Sequence, residues 1–531
     1  IHYPISVMYG KLLLISFLGL LTLSCAELAP DTKNDDQEQG PAEEIVQVED
    51  KDGYTVKGYV SCDGQAVSGA VVSDGIHVTR TNRQGKYWMK TDSRSDFVFI
   101  SVPSGTEVVS NGWESEFWHR YQSSDKVQRF DFNLSSVDNN KHITLAFADV
   151  HISARTPMWM DYTKMPVDSL QFREHFMKDI NDYASRQSVP VYGLNLGDMM
   201  QDMHYDNANL VHYRKAIRDL SFPTFHVVGN HDHQPDLPIA PTDDPDTREF
   251  KRHYTDNLGP RYYSYNIGKV HYVVLDVNKM LGGGTNKYEL TVTDRQLSWL
   301  RDDLSVVDKS YAIVIAGHVG THRYKSGGSV ITNRNAVLDL CKDFSHVYVL
   351  SGHAHIMEVY RSDAKTTNIV HPSAAGLMWW TRRCADGTKA AYVVYEFDGA
   401  SCRITLKPYE SDNTDADQIY VYGNSKVTVD GREFSAVVIN VPAYELTAST
   451  LSSSWKLSVT ENGVNKGEPT RYYGEDPEIV ALSAQLWPAD SKDNKPKKTN
   501  HIFYYVPDNP AAAIKVTAED TWGRKYEKTL N

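Results

Sequence analysis

The tetrad Gly229-Asn230-His231-Asp232 puts an amide, an imidazole and a carboxylate into one turn after an apolar run, Phe225-His226-Val227-Val228. The run reads as a buried strand, and polar groups crowded at its end are costly to desolvate unless they bind something. Four other apolar runs end in the same way. Asp149 and His151 follow residues 143–148, Asp198 follows 194–196, His318 follows 313–316, and His353 and His355 follow 349–351. Oxygen and imidazole donors spread over several strand ends suit a pair of metal ions. Such a pair needs roughly eight protein donors and a shared bridge across about 3.5–4 Å. Carboxylate, amide and imidazole together favour manganese, iron or zinc, and the lack of thiolate argues against a purely structural zinc site. The step His353-Ala354-His355 can point one imidazole at each ion. The chemistry expected of these groups is hydrolysis of a small phosphate ester.

The elements that must position these residues follow from the pattern around them. Ligands in open α/β sheets collect beyond the carboxyl ends of strands, and the glycines before Asp198, Asn230, His318 and His353 let the chain turn sharply. Strand-like runs at 143–148, 189–196, 270–276, 311–316 and 347–350 alternate with helix-like spacing at 169–185, 209–220 and from Asp294. This predicts an α/β layered domain over 140–385 with a largely buried sheet. Residues 51–136 instead show short strands and tight turns such as Asp63-Gly64 and Asp74-Gly75, the pattern of a β-sandwich. The strand Val67 to Val71 and the hairpin Asn82 to Tyr87 resemble the small prealbumin-like sandwich found beside many exported enzymes. Strands return without helices over 386–531, at 391–395, 404–408, 434–441, 455–459, 479–486, 501–506 and 514–518, and predict a second sandwich. The first one or two of them could equally close the catalytic domain.

The 531 residues are too many for one core. Net charge is −13, from 55 basic and 68 acidic residues, which argues against a nucleic-acid-binding surface. Residues 12–23 are apolar, follow Lys11 and end at Ser24-Cys25. Residues 1–24 thus read as a signal peptide, and the small residue before Cys25 resembles a bacterial lipoprotein signal, with an ordinary secretory signal as the alternative. The expected location is the cell envelope, in the periplasm or on the outer membrane, with membrane attachment only through a lipid on Cys25. Residues 25–50, rich in Asp, Glu, Gln and Pro, read as a disordered tether. Cys384 and Cys402 could pair in an exported protein, or each could be a free thiol.

From about Phe147 to His355 the chain resembles the calcineurin-like metallophosphoesterases, whose five motifs occur here in the family's order. The resemblance implies a layered β-sandwich core with flanking helices, here between two all-β sandwich domains. It implies that Asp149, His151, Asp198 and His355 bind one divalent ion. Asp198 bridges to a second, completed by Asn230, His318 and His353. It further implies in-line attack on phosphorus by a water activated between the ions, with His231 beside the leaving group. His231 needs a partner to hold its tautomer, and Asp232 or Asp202 is the expected carboxylate. Many relatives carry that partner three residues after the bridging Asp, where this chain has Gln201. The same residue replaces the tyrosine of purple acid phosphatases, so a charge-transfer ferric site is not expected. The competing reading is a glycan- or protein-binding envelope protein with a vestigial metal site.

Overall fold

A computed structural model describes residues 46–123, 125–153, 168–201, 208–234, 248–281, 287–325, 328–379, 381–487 and 495–530. The predicted leader, the tether through residue 45 and most of the loops 152–167 and 233–250 lie outside the described residues. Among the described residues, no helix is long and apolar enough to cross a membrane.

The core is two facing sheets. The first runs Thr224–His226, Val191–Asn195, Lys141–Phe147, Ala391–Asp398, Ser401–Pro408. The second runs Tyr263–Ile267, Val270–Leu275, Ala312–Gly317, His346–Ser351, Thr366–Val370, Glu358–Arg361, Glu445–Thr447. Side chains alternate across a strand, and the first sheet uses both faces. Ala146, Leu194, Val393 and Tyr395 join Tyr272, Val274, Val314 and Tyr348 of the second sheet in one buried cluster. Ile143, Leu145 and Phe147 point the other way, onto Phe172, Phe176, Ile180, Leu210 and Tyr213 from the helical segments. This is the layered α/β core with a β region on each side.

Strand direction decides where chemistry can sit. Lys141–Phe147, Val191–Asn195 and Thr224–His226 are mutually parallel. So are Val270–Leu275, Ala312–Gly317, His346–Ser351 and Thr366–Val370. Their carboxyl ends therefore open on loops that carry the polar motifs.

The N-terminal region is built from two small sheets, and its core is continuous with the catalytic one. Trp299 Nε1 donates to Ser73 Oγ at 3.1 Å, and Tyr262 OH donates to the Gly75 carbonyl at 2.8 Å. The C-terminal region stacks two four-stranded sheets over Val437, Ile439, Leu457, Val459, Phe503 and Val516. The hairpin over 391–408 extends the first core sheet by pairing antiparallel with the edge of Lys141–Phe147, one of the two alternatives the sequence left open for these strands. One feature differs from the sequence expectation. Residues 479–486, expected as a strand, form the helix Pro477–Leu486. Asp476 caps it by accepting from the amides of Glu478 and Ile479, and Pro477 presets the first turn. Cys62, Cys341, Cys384 and Cys402 are all free thiols.

Candidate metal centre

Five of the seven expected ligand residues hold left-handed backbone: Asp149 at φ 54°, His151 at 47°, Asp198 at 54°, His353 at 68° and His355 at 54°. Such conformations cost of order 1–3 kcal/mol each outside glycine and persist only where their surroundings impose them. The hydrogen bonds that impose them run between loops. Asp149 N donates to Gly197 O and His151 N to Asp198 O, both at 3.0 Å. His231 N donates to Asp198 Oδ1 at 2.8 Å. His353 N meets both Asp149 oxygens, at 3.1 and 3.0 Å.

Two glycines allow the loops to approach this closely. A Cβ on Gly229 would stand 2.2 Å from both Asp198 N and Oδ1, and one on Gly352 would stand 2.6 Å from Asp149 Oδ2.

All seven residues converge. His318 Nε2 lies 3.0 Å from Asp198 Oδ2, His353 Nδ1 2.8 Å from Asn230 Oδ1, His151 Nε2 3.0 Å from His355 Nε2, and His355 Nε2 3.3 Å from Asp149 Oδ1. Ligands bound at about 2.1 Å and 90° apart lie about 3.0 Å from each other, so these separations match edges of a coordination shell. Three overlapping groups have ligand atoms within 4.8 Å: Asp149, His151 and His355; His151, Asp198 and His231; and Asp198, His318 and His353. His151 Nδ1 is buried without a hydrogen-bond partner. His318 donates its Nδ1 proton to the Leu196 carbonyl at 2.8 Å, which leaves Nε2 to face Asp198 as a ligand would. The donor set fits two divalent ions.

The electrostatics agree. Burial opposes ionisation of Asp198, but the imidazoles of His318 and His231 outweigh it and hold the carboxyl well below its usual range. Burial pushes His151 down to about 3 and His353 to about 4, so both are neutral donors. His318 goes the other way, to about 9, because Asp198 overrides its burial.

Of the two carboxylates expected to orient His231, Asp232 does not do so, which is a correction. His231 Nδ1 lies against the backbone carbonyl of Gln201. Asp232 is fully buried and turned inward, where it accepts from the amides of Gly229 at 2.8 Å, Asp198 at 2.9 Å, Met199 at 2.9 Å and Met200 at 3.3 Å. A carboxylate with four amide donors braces the loop that carries Asp198. Asp202 lies outside the described residues, as do His204, Trp159 and Trp380. Ser373 Oγ donates to the Asp149 carbonyl at 2.8 Å, and Asn278 Nδ2 to the Val228 carbonyl at 3.2 Å. Both steady ligand loops. Trp379 is a packing residue, buried with its Nε1 on the Val150 carbonyl. His233 is buried with both ring nitrogens unpartnered. Sequence reasoning also missed Asp386 and Lys497, which reach the His353–His355 turn from outside the motifs. Asp386 accepts from Met357 N at 2.9 Å, and Lys497 Nζ donates to the Ala354 carbonyl at 2.7 Å.

A two-sheet α/β core with converging Asp, Asn and His side chains on the loops beyond its strands is the arrangement of a metallophosphoesterase. The chain belongs to the calcineurin-like phosphoesterase family. The family's own model matches residues 144–357, and models for the N terminal and C terminal of calcineurin-like phosphoesterase match 54–137 and 372–526. The family implies a dinuclear divalent metal centre and a metal-dependent phosphoesterase. No curated protein matches the chain by sequence. Among solved structures, a dimetal phosphatase from Danio rerio is 16% identical over 50% of this chain and 96% of its own, with a TM-score of 0.35. A purple acid phosphatase from yellow lupin (Lupinus luteus) seeds is 11% identical over 72% and 70%, at 0.36. A 5'-nucleotidase from Candida albicans is 12% identical over 52% of each, at 0.33.

Proposed function

We propose that this centre hydrolyses a phosphomonoester or phosphodiester with water. The observation that carries the reading is the convergence of Asp149, His151, Asp198, Asn230, His318, His353 and His355 at coordination-shell spacings. Asp149, His151 and His355 would hold one manganese, iron or zinc ion and Asn230, His318 and His353 the other, with Asp198 placed between the two groups. When bound, such a pair supplies positive charge to phosphoryl oxygens and lowers the pKa of a water. The chain's own groups do the rest. The Gln201 carbonyl holds the His231 ring through Nδ1, and in this reading the ring stands beside the leaving alkoxide as its proton donor. Asp232 holds the Asp198 loop by its amides, so the shared carboxylate keeps its position.

Export to the cell envelope on a lipidated Cys25 belongs to the same proposal. The apolar run 12–23 before Ser24-Cys25 supports it, and labelled palmitate incorporation lost in Cys25→Ala tests it.

The test of the phosphoesterase is turnover of an aryl phosphate with manganese by wild type and Asp198→Ala. Loss in the variant is expected; equal turnover in both proteins would remove the assignment.

A further inference from the structure

The turn Gly352-His353-Ala354-His355 has two left-handed residues in three, at φ 68° and 54°. It supplies an imidazole to each half of the centre. Four contacts pin it. Two come from the ligand loops: Gly352 N donates to the His318 carbonyl at 3.0 Å, and His353 N to Asp149. The other two come from residues that lie beyond the catalytic stretch 144–357. Lys497 Nζ donates to the carbonyl of Ala354, the residue between the two histidines, at 2.7 Å. Asp386 Oδ2 accepts from Met357 N at 2.9 Å.

These two residues are themselves anchored in the C-terminal region. Lys497 N donates to the Ala385 carbonyl at 2.7 Å, next to Asp386. Asp386 is fully buried and takes Thr388 Oγ1 at 2.7 Å and Thr388 N at 3.0 Å, and its Oδ2 lies 3.3 Å from His501 Nε2. His501 Nδ1 pairs with Asn440 Oδ1 at 2.8 Å, and Asn440 Nδ2 returns to the Asp386 carbonyl at 3.1 Å and to Asp476 Oδ2 at 2.8 Å. A buried polar network thus ties the sandwich strands at Asn440 and His501 to the ligand turn.

We propose that the C-terminal region is part of the metal centre, with Lys497 as the positioning residue that sets the His353 and His355 imidazoles at the spacing two ions require. This rests on the phosphoesterase reading. The side chain of Lys497 reaches the turn through one hydrogen bond and fills no core volume, so its removal loosens the turn without opening a cavity.

The experiment uses the full chain as wild type, Lys497→Met, Lys497→Gln and Lys497→Arg. Manganese affinity is measured by chelator competition, metal content by elemental analysis, and kcat and KM on an aryl phosphate. Melting of each metal-free protein reports folding. The expected result is a drop of about ten- to a hundredfold in affinity for the weaker-held ion in Lys497→Met. The loss in kcat should exceed any change in KM, metal-free melting should match wild type, and Lys497→Arg should recover part of the affinity. If Lys497→Met does not fold, Lys497→Gln carries the same comparison. Wild type that binds two ions alongside a folded Met or Gln variant of equal affinity and kcat overturns the positioning role alone. Wild type that binds no metal and turns over no ester overturns the phosphoesterase reading, and this proposal with it.

Discussion

Gly229→Ala adds one methyl group to the centre and removes no functional atom, so it tests the geometry by itself. The backbone at Gly229 is not left-handed, so alanine brings no conformational penalty of its own. The new Cβ would stand 2.9 Å from Asp198 Cα and 2.2 Å from Asp198 N and Asp198 Oδ1, the last two more than 1 Å short of ordinary contact at 3.4 Å. These atoms cannot swing aside as a surface side chain would. Asp198 N is bound to Asp232 at 2.9 Å, and the same Asp232 carboxylate holds Gly229 N at 2.8 Å. One of the two loops must move by about 1 Å. Overpacking of this kind costs about 1–3 kcal/mol of stability, and a displacement of about 1 Å at a catalytic centre costs about a hundredfold in rate. The assay is steady-state hydrolysis of an aryl phosphate by the manganese-loaded protein, with metal content and melting measured in parallel. Gly423→Ala is the control, since its Cβ meets only Leu530 Cδ1 at 3.5 Å. A Gly229→Ala protein with two ions and activity within about twofold of wild type would refute the argument that Asp198 is fixed by this contact.

Three further outcomes follow from the same geometry. Removing metal lowers the melting temperature, because ions bind only the folded clusters; free metal at about 100 times Kd stabilises by about 2.7 kcal/mol per site, and unchanged melting after confirmed metal loss would count against it. In the metal-free protein, the raised His318 pKa contributes stability that is complete below about 6.5 and is lost as pH rises through about 9. Buried His226 and His371, pushed to about 3 and about 4 by desolvation, act oppositely, so stability also falls as pH drops below about 6.5. Melting scans from acid to alkaline pH should therefore peak near neutrality, and metal loading should flatten the alkaline limb by displacing the His318 proton. His231→Gln should slow an alkyl phosphate by about a hundredfold or more but an aryl phosphate with a good leaving group far less; equal losses would make His231 a ligand rather than the proton donor.

The strand ends were legible because an apolar run that stops at a polar group, in four of the five cases after a Gly, marks a buried strand as it leaves its sheet. That pattern located Asp149, Asp198, Asn230, His318 and His353 without any knowledge of the sheets. Their pairing across loops was not legible. Asp232 stands beside His231 in sequence and reads as its partner, yet only the fold shows the carboxylate turned inward to four amides. Ile479-Val480-Ala481-Leu482 is apolar without a period, and such a run does not separate strand from buried helix. Its helical signal lay upstream, in the Asp476-Pro477 cap. The strands at 391–398 and 401–408 were visible as strands, but their sheet depends on the open edge of Lys141–Phe147. A lone Lys497 in a polar stretch carries no local signal, since its meaning comes from a carbonyl at Ala354.

The left-handed residues explain why the surrounding structure is so heavily hydrogen-bonded. Five such positions together cost on the order of 5 kcal/mol or more, a large fraction of the stability of an ordinary domain. Metal ligation alone would be a poor way to offset that cost, because the chain must fold before it binds. The protein instead offsets it from within. The Asp149 carboxylate, Asp232 and the Leu196, Gly197 and Gln201 carbonyls each take a donor from a neighbouring loop. Gly229 and Gly352 let those loops interlock at distances a side chain would forbid. Ligands already set at about 3 Å from one another need little rearrangement to receive an ion, so more of the binding energy is available for affinity. The same economy makes the centre brittle. Each loop is held by the next, so one methyl group pressed against Asp198 from Gly229, or one donor lost from Lys497, is felt across the whole set of ligands.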